Sequence, residues 1–217
     1  MEQTGSAVRG DLWVVSAPSG GGKTSLCRAL VPRLAARGIT VRISVSCTTR
    51  APRAGEREGV DYCFLDEAHF AAQVAAGGFV EHAGVFGRHY GTPRAPLEAA
   101  VAAGEVLLLD IDWQGGRQIR TRYPDACGVF ILPPSRAELE RRLRGREGST
   151  EELVNKRMAA ARTEMAHYAE YPYVIVNADF DTALAEFEAL IVAQRLGLAA
   201  QRTRHAALLA QLLDDGD

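Results

Sequence analysis

Residues 12–24 read Leu12-Trp13-Val14-Val15-Ser16-Ala17-Pro18-Ser19-Gly20-Gly21-Gly22-Lys23-Thr24. Leu12–Ser16 is an apolar run of strand length, and the glycine cluster after it ends the strand. From Thr24 to Arg37, Leu26, Leu30 and Leu34 recur on one helical face, and Gly38 is a stop signal. Strand, glycine-rich loop and helix in this order are the setting of a phosphate-binding loop. Successive backbone N–H groups of such a loop can point at phosphate oxygens, and the helix N-terminus adds partial positive charge. Lys23 can reach the β- and γ-phosphates of a nucleoside triphosphate, and Thr24 can present a hydroxyl to Mg²⁺. The loop departs from the general pattern only at its first position, where Ala17 stands for glycine. Of 25 basic residues, Lys23 and Lys156 are the only lysines, which adds weight to a lysine in this place.

Outward from the loop, apolar runs alternate with helical patterns. Strands are expected at 41–46, 61–65, 79–86, 106–111, 128–132 and 173–177. A short helix should start near Asp66 and stop at Gly77, and another should span 115–122. Pro32 should kink or shorten the first helix. Thr92-Pro93 reads as the cap and first turn of a helix ending at Gly104. Ser135 with Glu138, and Ser149 with Glu152, read as capping boxes. Two last helical patterns cover 181–196 and 198–213, the second an amphipathic stretch expected to pack on the body. The alternation predicts an α/β fold with a parallel sheet, and segment 47–100 breaks the rhythm as an inserted lobe.

The 217 residues suit a single domain spanning 1–217. With 47% hydrophobic and 24% charged residues, wholesale disorder is excluded. A net charge of −2 gives no basic footprint for nucleic acid. No apolar run has the length of a membrane span, and the first residues lack a signal-peptide pattern, so a cytoplasmic protein without membrane contact is expected. The cysteines Cys27, Cys47, Cys63 and Cys127 are widely spaced and read as free thiols. The five histidines show no metal-ligand spacing.

Further motifs follow: Ser44-Val-Ser46-Cys-Thr-Thr-Arg50-Ala-Pro-Arg53-Ala-Gly-Glu56 with Asp61-Tyr62, then Phe79-Val-Glu81, Gly87-Arg-His-Tyr90-Gly-Thr92 and Leu109-Asp110-Ile-Asp112-Trp-Gln-Gly. Two guanidinium forks, Arg50 and Arg53, about a stiff Ala-Pro turn suit a phosphate dianion. With the phosphate loop, these motifs resemble the guanylate kinases, above all the bacterial ones, from about residue 10 to 195. The resemblance implies a nucleoside monophosphate kinase fold and ATP-dependent phosphorylation of GMP, and of dGMP, to the diphosphate. It implies an ATP-binding core at 10–46 and 101–195, a GMP-binding lobe at 47–100, a lid at 143–157 and a C-terminal helix at 196–217.

It assigns the GMP phosphate to Arg50, Arg53, Tyr62 and Tyr90, and the guanine to Glu81 and Asp112, with Ser46 and Thr92 adding contacts. A carboxylate accepts from the N1–H and amino group of guanine but faces a bare N1 in adenine. ATP falls to Ala17, Pro18, Ser19, Gly20, Gly21, Gly22, Lys23, Thr24 and Asn177. Asp110 is expected to hold Mg²⁺ through water beside Thr24. Arg142, Arg146 and Arg157 are expected to close on the phosphates and act with Lys23 in catalysis. Two other readings share parts of this pattern. A non-catalytic GMP-binding module needs no intact ATP loop, and a kinase for a phosphorylated sugar needs no Glu81 or Asp112. ATP and GMP are the expected partners, and self-association is left open.

Overall fold

Leu12, Val14 and their neighbours Trp13 and Val15 alternate across β1 (Leu12–Ser16), so one strand feeds two cores. The computed structural model describes residues 11–145 and 149–214. The remaining elements are α1 (Lys23–Ala35), β2 (Val41–Ile43), β3 (Cys47–Thr48), β4 (Cys63–Phe64), α2 (Glu67–Ala75), β5 (Phe79–Val85), β6 (Arg88–Pro93), α3 (Arg94–Ala102) and β7 (Val106–Asp110). There follow α4 (Trp113–Arg122), β8 (Cys127–Leu132), α5 (Arg136–Arg144), α6 (Glu151–Ala166), a 3-10 turn at His167–Glu170, β9 (Tyr173–Val176), α7 (Phe180–Leu196), α8 (Leu198–Arg204) and α9 (Ala206–Leu212).

β2, β7, β1, β8 and β9 form a five-stranded sheet in that order, every pairing parallel. Trp13, Val15, Leu26, Leu30, Ile131 and Phe187 pack on one face, and Val14, Leu97, Leu109, Ile119 and Phe130 on the other. Full burial of such a side chain contributes about 1.5–3 kcal/mol each. Strands covered on both faces read as unbroken apolar runs, which is why β1, β7 and β8 are legible. β1 lies between β7 and β8, so the loops leaving β1 and β7 open side by side at the carboxyl edge.

The second sheet has the order β4-β3-β6-β5 and is mixed, with β3 parallel to β4 and antiparallel to β6. β5 and β6 turn through Phe86-Gly87, both at positive φ (50° and 76°), the requirement of a tight hairpin loop.

Several sequence expectations are corrected. Pro32 lies inside α1, which runs unbroken from Lys23 to Ala35, because a proline in the last turn removes only one hydrogen bond near the end. Segment 41–46 is only partly strand: β2 ends at Ile43, and the next strand, β3, belongs to the other sheet. Thr92 and Pro93 lie in β6, and α3 starts at Arg94 without a side-chain cap, since the Thr92 hydroxyl donates to Glu81 instead. α6 is capped by Thr150, whose hydroxyl accepts from Leu153 N–H, while Ser149 donates to Leu143 O. Ser135 does cap α5, but the Glu138 carboxylate turns to Arg141 and Arg142. The 198–213 pattern is split into α8 and α9, and Leu208, Leu209, Leu212 and Leu213 are exposed rather than packed on the body.

Candidate active site

The loop after β1 is shaped by backbone angles that glycine alone adopts cheaply. Gly20 and Gly22 have φ of 90° and 94°, and Gly22 is the N-cap of α1. A Cβ on Gly22 would lie 2.2 Å from Asn177 Nδ2. That amide donates to Gly21 O at 3.0 Å, so Asn177 buttresses the loop from the end of β9. Among the described non-glycine residues only Phe86 has positive φ, so Ala17 meets no backbone demand for glycine.

Lys23 Nζ donates to Ile111 O at 2.8 Å and pairs with Asp110 at 2.7 Å. Burial works to lower the Lys23 pKa, but the Asp110 carboxylate more than offsets it and the pKa is raised. Thr24 Oγ1 donates to the other Asp110 oxygen at 2.5 Å. The register Val15↔Asp110 sets these three residues side by side at the ends of β1 and β7.

On the facing side, Arg50 is fixed by a two-pronged pair with Glu56, both contacts 2.9 Å, and its guanidinium lies 5.2 Å from the Tyr62 ring centroid. Glu56 also accepts from Arg53 N–H at 2.7 Å. Burial works against the charge on Glu56, but Arg50 and Arg53 hold its carboxyl below the usual range. Tyr62 and Tyr90 meet edge to face, 6.1 Å between centroids.

Glu81 is 3% exposed, on β5. Thr92 Oγ1 donates to it at 2.5 Å from β6. Burial, with Asp112 nearby and against the Thr92 hydrogen bond, pushes the Glu81 pKa up to about 7. Asp112 caps α4, accepting from Gly115 N–H at 3.0 Å and Gln114 Nε2 at 2.9 Å. A Cβ on Gly115 would lie 2.3 Å from Glu81 Oε2, so the helix gives way to the carboxylate only because residue 115 is glycine.

From α5, Arg142 donates to Glu138 at 2.7 Å and to Asn177 O at 2.9 Å. Arg141 shares Glu138, and the two arginines hold its pKa down to about 2. Arg144 turns away to Glu140 and Glu151. Arg157 on α6 lines the cavity, while Arg146 lies outside the described residues.

One cavity of about 860 Å³ unites these groups. Its wall includes the loop from Ala17 through Pro18, Ser19 and the glycines to Thr24, together with Asp110, Arg142, Arg157 and Asn177. The same cavity is also lined by Ser46, Arg50, Arg53, Tyr62, Glu81, Tyr90 and Asp112. Thr92 is fully buried behind Glu81 and reaches the site through it. Among the described residues no cluster of three or more His, Cys, Asp or Glu side chains could hold a metal by itself.

Sequence reasoning missed the roles of Glu56, Glu138, Gly115 and Glu164. Glu56 stands inside the arginine motif, so its partnership was within reach of short-range spacing. Glu164 gave no such signal. It comes from α6, 145 positions away, to accept from Ser19 N–H at 3.1 Å. Burial first, then Asp112, raises its pKa against the pull of Ser19, Lys23 and Arg157. Glu164→Ala should raise the KM for ATP about tenfold, the worth of a hydrogen bond to a charged group, and leave the KM for GMP in place. Glu164→Gln, which keeps an acceptor oxygen, should stay close to the parent in ATP saturation curves. Equal loss in both variants would contradict this positioning role.

The sequence profile described as guanylate kinase matches residues 9–194. Guanylate kinase of Salmonella typhimurium strain LT2 is 51% identical over 207 residues, covering 95% of this chain and 99% of that protein. Guanylate kinase of Escherichia coli strain K12 is 50% identical over the same coverage. The crystal structure of guanylate kinase from Anaplasma phagocytophilum superposes with a TM-score of 0.73 at 32% identity, covering 92% of this chain and 95% of that one. A phosphate loop, an α/β core with a parallel sheet and a second mixed sheet thus come with matching sequence along nearly the whole chain, and the chain belongs to the guanylate kinase family of enzymes, which phosphorylate GMP to GDP with ATP.

Proposed function

We propose that the cavity binds ATP on the phosphate loop and GMP on the second sheet at once, and that the residues named above carry out in-line transfer between them. The observation that carries this reading is that Lys23 and Arg142 line the same single cavity as Arg50, Glu81 and Asp112. A phosphate oxygen of GMP is itself the nucleophile, so the transfer needs positioning and neutralisation of charge rather than a protein nucleophile.

Arg50, Arg53, Tyr62 and Tyr90 orient the GMP phosphate. Glu81 and Asp112 accept from guanine beside Ser46, and Thr92 acts through its hydrogen bond to Glu81. The contacts assigned to GMP involve only its phosphate and base, so dGMP is proposed as an acceptor too. Lys23 holds the β/γ end of ATP, Asn177 steadies the loop, and Arg142, Arg146 and Arg157 neutralise the transferring group and exclude water.

Thr24 Oγ1 and Asp110 Oδ2, 2.5 Å apart, form an oxygen-only pair of the kind Mg²⁺ favours. Thr24 would hold the ion directly and Asp110 through water. When bound, Mg²⁺ neutralises charge on the β- and γ-phosphates. By this reading residues 10–46 and 101–195 are the ATP-binding core, 47–100 the GMP-binding lobe, 143–157 the lid and 196–217 a C-terminal appendage. The four thiols, none in a disulfide, suit a cytoplasmic protein. Among the described residues no helix is long and apolar enough to cross a membrane.

A compound that joins adenosine and guanosine at their 5′ ends through a chain of phosphates tests simultaneous occupancy. It should inhibit competitively against both ATP and GMP. Competition against only one of them would contradict a shared cavity.

A further inference from the structure

The sequence spaces Cys47 and Cys63 too far apart to suggest a pair, and the fold brings them together. They are register partners in the parallel pairing of β3 with β4, framed by hydrogen bonds from Cys63 N–H to Ser46 O and from Leu65 N–H to Thr48 O, both 2.9 Å. In-register residues of a parallel pair point to the same face. Both side chains accordingly pack on one small cluster with Phe70 and Phe79. Cys47 is buried and Cys63 is half-buried, so reagents reach the pair through Cys63.

We infer that Cys47 and Cys63 are a thiol–disulfide exchange site, closed by low-molecular-weight disulfides, whose closure weakens GMP binding. This inference rests on the assignment of Ser46 and Tyr62 to the GMP site, because those residues immediately precede the two cysteines in the chain. The Cys63 thiolate attacks one sulfur of the small disulfide and expels the first small thiol, which takes up the proton Cys63 gave up. Cys47 then attacks Cys63 in the mixed disulfide and releases the second small thiol with the Cys47 proton. Two protein thiols become one disulfide, and the small disulfide is reduced to two thiols.

Geometry links closure to the substrate. Neighbouring strands lie about 4.7–4.9 Å apart, whereas a disulfide brings its Cβ atoms to about 3.8 Å. The backbone spacing already suits a disulfide, but the two parallel side chains must tilt toward each other to close it, which twists the strand that yields more easily. β4 is the edge strand of its sheet and only two residues long, so it gives way more easily than β3, which is held on both sides. Tyr62 adjoins the moving strand, and its ring faces Arg50 and Tyr90. Burial and the neighbouring Cys63 push the Cys47 thiol up to about 12, which suits Cys47 as the slow, second thiol.

The protein is treated with oxidised glutathione or with dithiothreitol, digested under non-reducing conditions and mapped by mass spectrometry, with GMP and ATP saturation curves on the same samples. The oxidised sample should contain a Cys47–Cys63 link lighter by two hydrogens and a KM for GMP raised several-fold. The KM for ATP should hold, and dithiothreitol should restore the parent values. Cys63→Ser should keep the reduced-state kinetics and lose the response; Cys47→Ala, with glutathione retained on Cys63, is the second control. No 47–63 link, a link with an unchanged KM for GMP, or a response that survives in Cys63→Ser would each overturn the inference. Failure of the GMP-site assignment shows separately, as an unmoved KM for GMP in reduced Tyr62→Phe.

Discussion

Lys23→Ala should lower kcat by about 10³-fold, in the range known for removal of one transition-state donor from a closed site. In the free protein Lys23 bridges Asp110 and Ile111 O, so its ammonium is already set at the mouth of the phosphate loop. Charge that builds on the transferring phosphoryl group meets a cation there without reorganisation. The substitution leaves Asp110 with one partner, the Thr24 hydroxyl, and that carboxylate keeps some contact with solvent. The cost to stability is therefore below the roughly 3–5 kcal/mol of a fully buried broken pair. Circular dichroism should show an intact α/β fold while single-turnover rates collapse. Lys23→Arg should also fail, since a planar fork does not replace a compact ammonium in a loop of this size. Retention of more than a tenth of the parent kcat in Lys23→Ala would remove the phosphate loop from the chemistry.

Glu81→Gln should lower kcat/KM for GMP by about 10²-fold or more, because buried groups built to pair with a polar edge reject a mismatched one strongly. Glutamine presents one acceptor and one donor where guanine offers two donors. The same substitution should not destabilise the free protein above pH 7. The Glu81 pKa lies at about 7 in the folded chain and near the ordinary carboxyl value in the unfolded chain. Between those values the folded state holds the extra proton, so its contribution to stability is full below the lower value and is lost as pH rises to 7. Glutamine abolishes that pH dependence.

Guanine needs the ionised acceptor, so the KM for GMP should rise as pH falls below 7, by up to about tenfold per pH unit. The second ionisation of a phosphate monoester lies near 6 and adds its own break. Glu81→Gln should keep the break near 6 and lose the one near 7. A parent profile that stays flat between pH 8 and 6.5 would contradict the role of a buried, proton-holding Glu81.

What could be read from the chain depended on how far apart the cooperating residues stand. The phosphate loop is contiguous, and its strand and helix are patterned by Trp13 to Val15 and by Leu26, Leu30 and Leu34, so fold class and triphosphate site were both visible. Arg50 and Arg53 share a short motif with Tyr62, and all three line the one cavity. Glu81 and Asp112 had no local signature of guanine recognition; family likeness alone singled them out. Local rules misplaced Thr92, because a threonine before a proline looks like a cap, whereas the hydroxyl is drawn to a buried carboxylate across the β5–β6 hairpin. Glu164 and the Cys47–Cys63 pair become visible only when segments distant in the chain meet. The C-terminal pattern misled for a related reason: amphipathic spacing shows an apolar face but not what lies against it, and the leucines of α9 face outward.

The most direct measurement is ADP formation from ATP and Mg²⁺ with GMP, dGMP, AMP, CMP or UMP as acceptor, run on the parent protein and on Glu81→Gln together. Fast turnover with GMP, turnover with dGMP, little with AMP or the pyrimidine nucleotides, and loss of the GMP preference in the variant are expected. AMP turned over as readily as GMP by the parent, or a variant indistinguishable from it with GMP, would contradict the assignment of guanine to the Glu81 wall of the cavity.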